Sequence, residues 1–341
     1  MITLTTTRIL LITIFSFSFS ACQNRTAPES TVALSNEKDT IIEKQPQVLV
    51  FDTADYDTRM TVLANGDTTG MWPVKMPYPL PGAIFPFNRV IAYYGNLYST
   101  RMGILGELPK AQMLEKLKGE VAAWQKADST TKTIPALHYI AVTAQTNGGK
   151  QRFRMPSKQI DTIMSWAKEI DALVFLDIQV GWSTLQEEVP ALEKYLSLPN
   201  VHLGIDPEFS MKGGQLPGKK IGTFDAADIN YSIDYLAKLV REKNLPPKVL
   251  VVHRFTQGMV TNAAQIKKTP EVQVVIDMDG WGDKVLKRST WLRYIQKEPV
   301  MFAGFKIFYK NDLKKDPNKL GLYQPEELLK FTPKPVYIQY Q

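Results

Sequence analysis

From Arg89 to its last residue the chain repeats one pattern: a short apolar run, a turn, and usually a stretch of helical periodicity. The apolar runs fall at Val90–Gly95, Ile134–Val142, Leu173–Gln179, Val201–Asp206, Val249–Phe255, Gln273–Asp279, Phe302–Tyr309 and Val336–Tyr340. Between them, Pro109–Ala127 spaces Met113, Leu114, Leu117, Val121 and Trp124 for one helix face. Pro156–Ile170 does the same with Ile160, Ile163, Met164 and Ala167, and Ala226–Lys243 with Ile229, Ile233, Leu236, Leu239 and Val240. Eight strands alternating with helices over roughly 250 residues predict an α/β fold, a (β/α)8 barrel. A doubly wound open sheet would carry fewer strands, and no GxGxxG turn follows the first run. The last run ends at Tyr340, so an eighth strand at the C-terminus with no eighth helix is expected.

The residues before Arg89 are of three kinds. In residues 1–22, Arg8 precedes an apolar run, Ile9–Phe19, that is too short to span a bilayer. The run ends at Ser20–Ala21–Cys22, and Phe19–Cys22 (FSAC) resembles a bacterial lipobox. That resemblance implies a lipoprotein signal peptide, lipidation of Cys22, and a tether to a membrane surface. The expected location is the bacterial cell envelope, on the periplasmic face of the outer membrane. Residues 23–45 are polar and free of aromatics, as expected of a flexible tether. Residues 46–88 contain Met71–Phe87 (MWPVKMPYPLPGAIFPF) and are expected to form an irregular arm packed on the barrel of residues 89–341. Cys22 is the only cysteine, which excludes a disulfide within the chain. The net charge of +7 is scattered rather than gathered in a stripe, so no nucleic-acid partner is expected.

Strand parity locates the chemistry. If the apolar residues of each strand pack outward on helices, the polar ones face the barrel interior near its C-terminal rim. The third strand then points Asp177 and Gln179 inward, the fourth His202, Asp206 and Glu208, and the fifth His253. The sixth points in Asp277 and Asp279, the seventh Lys306 and the eighth Gln339, with Tyr94 and His138 added from the first two. Asp206 and Glu208 stand two apart, which places both on one strand face. Acids crowded into one pocket raise one another's pKa values, and a cation, a metal or a catalytic role must stabilise them. Glycoside hydrolysis needs such a set: a protonated carboxyl to assist the leaving group and a second acid to stabilise or attack the sugar centre. Glu208 suits the general acid, with Asp206 or Asp277 as its partner. Tyr94, His138, Asp177, Gln179, His253, Asp279, Trp281, Lys306, Tyr309 and Gln339 are the candidate substrate-binding residues, aromatic members stacking on sugar rings. The loop Ser210–Thr223 directly follows the paired acids and is a candidate lid.

Two resemblances bear on this reading. The tip Asp206–Pro207–Glu208 is similar to the D-x-E that closes the fourth strand of chitinase-type glycosidases, which implies Glu208 as the acid and Asp206 as the group orienting the substrate. More widely, Tyr93–Gly95 (YYG), Met102–Glu107 (MGILGE), Gly204–Phe209 (GIDPEF), Val251–Phe255 (VVHRF), Asp277–Gly282 (DMDGWG), Lys306–Tyr309 (KIFY) and the terminal IQYQ resemble a family of secreted or lipid-anchored bacterial single-barrel proteins. That resemblance implies fold and location rather than a reaction. The expected function is a glycosidase-like hydrolase acting on polysaccharide. One alternative is a metal-dependent hydrolase or isomerase with Asp177, Asp206, Glu208, His253 and Asp277 as ligands; the other is a non-catalytic carbohydrate-binding lipoprotein. No HxH or HExxH spacing assigns a metal, and no cofactor is expected.

Overall fold

The structure, a computed structural model, describes residues 51–314 and 316–341. The expected signal peptide with Cys22, the expected tether of residues 23–45 and the start of the arm lie outside the described residues. Among the described residues no helix is long and apolar enough to cross a membrane.

Eight parallel strands close into a barrel: β1 (Asn88–Gly95), β2 (Lys132–Ala144), β3 (Leu173–Ile178), β4 (Val201–Ile205), β5 (Lys248–Arg254), β6 (Val272–Met278), β7 (Phe302–Ile307) and β8 (Tyr337–Tyr340). Each pairs with its successor, and β8 pairs with β1, where Val90 stands opposite Tyr337 and Tyr93 opposite Tyr340. The strands are buried on both faces, which is why they read as near-continuous apolar runs. A short antiparallel strand, Arg152–Arg154, extends the rim of β2.

Helix α1 (Thr53–Ala64) precedes the barrel. Of the connecting helices, α2 (Lys110–Ala127) follows β1, α3 (Ser157–Glu169) follows β2, α4 (Ala226–Lys243) follows β4 and α5 (Lys284–Trp291) follows β6. The ends of α4 are written locally: Asp225 and Asp228 form a reciprocal capping box, and Asn244 closes the helix in the left-handed conformation. The β5–β6 connection carries no α-helix, only two 3-10 turns, Gln257–Met259 and Ala263–Gln265, and a short strand, Val260–Thr261, paired with Phe224–Asp225.

The arm departs from the expectation of an irregular segment. It is not irregular throughout: Asp52 caps the amides of Ala54 and Asp55 at 3.0 Å, and Tyr56, Met60, Leu63 and Ala64 form the buried stripe of α1. It also lies at the N-terminal mouth of the barrel. Met60, Leu63 and Trp72 pack against Met301–Ala303 and Val336, at the starts of β7 and β8. The amides of Ile84 and Phe85 donate to Gln273 Oε1, and the Phe85 ring lies 5.3 Å from that of Phe302. The outside of β8 is covered from elsewhere, since Trp124 of α2 donates from Nε1 to Tyr340 Oη at 3.0 Å.

Candidate active site

Contacts across the barrel confirm the expected parity. Tyr94 of β1 donates from Oη to Asp177 Oδ2 on β3 at 2.9 Å, His138 of β2 lies 2.6 Å from Tyr337 Oη on β8, and Lys306 of β7 lies 2.9 Å from Asp279, just beyond β6. These inward side chains occupy two levels. The upper level opens at the C-terminal rim into a cleft of about 520 Å³. Tyr94, Gln179, Asp206, Glu208, Asp279 and Lys306 are among its polar lining, and Met102, Phe209, Phe255, Trp281 and Phe308 among its apolar wall. This is where barrel enzymes carry their chemistry.

The tip of β4 is built differently from a continued strand. Pairing stops at Ile205, Asp206 becomes the cap of a 3-10 turn over Pro207–Phe209, and its Oδ1 accepts from the Glu208 amide at 3.1 Å. Strand alternation therefore does not set the direction of Glu208; the turn does. Both acids still line the cleft, with Asp206 buried and Glu208 half-buried.

The carboxyl groups of the cleft are driven apart in acidity. Burial pushes Glu208 up to about 7, Asp279 adds to the rise, and Lys306 and His253 oppose it. Asp206 is raised too: burial, with Glu208, Asp177 and Asp279 adding to it against His253, holds the carboxyl well above the carboxylate range. Asp279 moves the other way, because Lys306 and His253 outweigh its burial and keep it ionised. Lys306 is itself buried, with Nζ 3.9 Å from the centre of the Tyr94 ring. One wall of the cleft thus presents a carboxyl that titrates near neutrality, and another presents a fixed carboxylate paired with a cation.

The lower level lies under the Tyr94 ring and does not reach the cleft. It contains His138, Asp177, His253, Asp277 and Gln339, all fully buried. Two inward glycines make room for them. A Cβ on Gly204 would stand 2.4 Å from His138 Nε2 and 2.5 Å from Asp177 Oδ1, and one on Gly304 would stand 2.6 Å from Asp277 Oδ1. Burial alone would neutralise His253, yet Asp279 and Asp177 raise it well above the ordinary histidine range. His138, desolvated and facing His253 and Lys306, is lowered to about 4 despite Asp177. Asp177 is held well below the carboxylate range by the two histidines against its burial. His202 lies deeper still, its Nδ1 accepting from the Val249 amide at 3.1 Å.

Several expected roles change with these placements. Asp277 sits beneath the floor, 3.4 Å from His253 Nδ1, and cannot touch a substrate; Asp279, one inward position further along, holds the place on the wall. His138, Asp177, His253 and Gln339 are likewise under the floor rather than on it. Tyr309 is outside the barrel: the chain leaves β7 at Ile307, and the Tyr309 hydroxyl bonds Tyr93 at 2.9 Å and Glu120 of α2 at 2.6 Å. The five ligands of the metal-enzyme alternative are split between the two levels, so they do not form one coordination set. Trp281 does line the cleft, half exposed, while Trp182 donates to Gln215 O away from it.

Parity could not find Arg101 and Met102, because they lie on a loop; Phe255 and Phe308 share the parity of His253 and Lys306, but a rule that looks for polar residues does not single them out. One local signal exists for the first pair. Gly103, at φ 136°, approaches β1 so closely that a Cβ would fall 2.2 Å from Tyr94 O, and this fastens the loop with Arg101 and Met102 over the cleft.

Comparison with solved structures finds a trimodular GH5_4 subfamily endoglucanase at 8% identity and a TM-score of 0.32, covering 64% of this chain and 40% of that one. The chain thus spans less than half of that structure's length, and a likeness of this size carries no argument about activity. No family model matches the chain. No curated protein matches it.

Proposed function

We propose that the protein is a glycoside hydrolase of the bacterial envelope, anchored through Cys22, in which Glu208 donates the proton to the leaving oxygen. The observation that carries this reading is the split acidity of the cleft: Glu208 titrates at about 7 while Asp279 stays ionised beside Lys306. Two carboxyl groups held in opposite protonation states in one pocket are the arrangement that oxocarbenium-like chemistry requires. Asp279 takes the charge-stabilising role in place of Asp277. Asp206 offers its carboxyl to a substrate polar group, and its Oδ1 fixes the turn that aims Glu208. Phe209, Trp281, Phe255 and Phe308 give flat apolar surface against which sugar rings stack.

The test is a screen of the purified protein against glycan libraries with Glu208→Gln as control. Turnover by the intact protein, and a loss of about 10²–10⁴-fold in the variant with binding retained, is the expected result. Equal loss of binding and turnover would instead favour a recognition protein.

A further inference from the structure

Among the polar atoms of the lower level that no hydrogen bond satisfies are His138 Nε2, Asp177 Oδ1 and His253 Nε2, beside His253 Nδ1, both Asp277 oxygens and Gln339 Oε1. Each belongs to a side chain with no solvent exposure. The first three converge: Asp177 Oδ1 lies 3.4 Å from His138 Nε2 and 3.5 Å from His253 Nε2, and all three fall within 4.8 Å of one another. Buried polar groups are almost always partnered, so three orphans aimed at one point call for something between them.

We propose that His138, Asp177 and His253 bind one divalent transition-metal ion beneath the cleft. Two imidazoles and a carboxylate are ligand types for Zn²⁺, Co²⁺, Mn²⁺ or Fe²⁺, and the spacing of their atoms is that of neighbouring ligands about 2 Å from a shared ion. The outer atoms of two ligands are hydrogen-bonded, and that of the third faces a carboxylate. His138 Nδ1 lies 2.6 Å from Tyr337 Oη, Asp177 Oδ2 accepts from Tyr94 Oη at 2.9 Å, and His253 Nδ1 lies 3.1 Å from Asp279 Oδ2. Such second partners orient the ligands of a metal site. Gly204 keeps the space beside the ligand atoms clear, since a methyl group there would sit 2.4 Å from one and 2.5 Å from another. The ion ties β2, β3 and β5 together and places positive charge under Asp279 and Asp206. The competing occupant is a proton on His253, which Asp279 and Asp177 favour, and it would leave the chain with no saturable metal binding. The site stands on these contacts and not on the hydrolase reading.

The test is calorimetric titration of the chelator-stripped full chain with Zn²⁺, and with Co²⁺ followed by visible absorption. One saturable site per chain is expected, weakened at least 100-fold in His138→Ala, Asp177→Asn and Gly204→Ala, weakened about 10–100-fold in Tyr337→Phe, and retained in Glu208→Gln. The chain has three histidines, all inside the barrel, so histidine-dependent binding cannot come from its surface. No saturable binding by the folded wild-type chain overturns the proposal whatever the variants do. Binding that survives in both His138→Ala and Gly204→Ala also overturns it.

Discussion

Glu208 is worth more to the chemistry than to the fold. Its carboxyl is raised to about 7 in the folded chain, and an unfolded glutamate titrates near 4.5. Stability from the neutral form is therefore complete below the lower value and lost as pH rises through the upper one. Glu208→Gln, which keeps the shape and cannot ionise, should raise the melting temperature at pH 8 and leave it unchanged at pH 4. Discounted for partial exposure, the gain is about 1 kcal/mol; equal melting temperatures at pH 8 would deny that the carboxyl is raised. Lys306 is the converse case. Lys306→Met leaves Asp279 buried without its cation at 2.9 Å and should cost about 3–5 kcal/mol at pH 7, less at low pH where the carboxyl is protonated. Denaturant unfolding at both pH values checks this. Which residues faced inward was legible from strand parity alone, because outward positions must be apolar. Which of them reached the cleft was not, because level depends on the stagger between strands: Asp277 and Asp279 share a face and a spacing of two, yet only Asp279 is on the wall.

At the scale of elements, all eight strands and helices α2, α3 and α4 could be read from periodicity. Helix α1 was obscured by the proline-rich sequence beside it, although Asp52 and the spacing of Tyr56, Met60, Leu63 and Ala64 carry its signal. The tip of β4 was misread as more strand because an acid before proline reads as extended; the cap bond from the Glu208 amide to Asp206 turns it instead. Inward glycines mark a second limit, since glycine in a strand reads as weakness while here it creates room. Gly304→Ala would drive a methyl group 2.6 Å from Asp277 Oδ1 and 3.0 Å from Val275 Cγ1. It should destabilise the barrel by about 1–3 kcal/mol, measured as a shift of the urea midpoint, whereas Gly119→Ala on α2, with no atom within 4 Å of the added carbon, should not destabilise it.

For the whole molecule, the two ends of the barrel have separate tasks. The N-terminal mouth is packed by the arm through Trp72, Phe85 and the bonds to Gln273, and belongs to stability; Phe85→Ala there should cost about 3–5 kcal/mol and leave the cleft intact. The C-terminal rim carries a charged, half-open cleft that stability alone does not explain, since it leaves Glu208 and Asp206 raised and destabilised as anions. Such a conflict between fold and electrostatics is where function is expected. The most direct test of the central claim is the pH dependence of glycan hydrolysis by the purified protein. The account predicts a basic limb near pH 7, activity falling as Glu208 loses its proton, and no such limb in the residual activity of Glu208→Gln. A limb that survives in that variant, or no hydrolysis of any glycan by the intact protein, would contradict it.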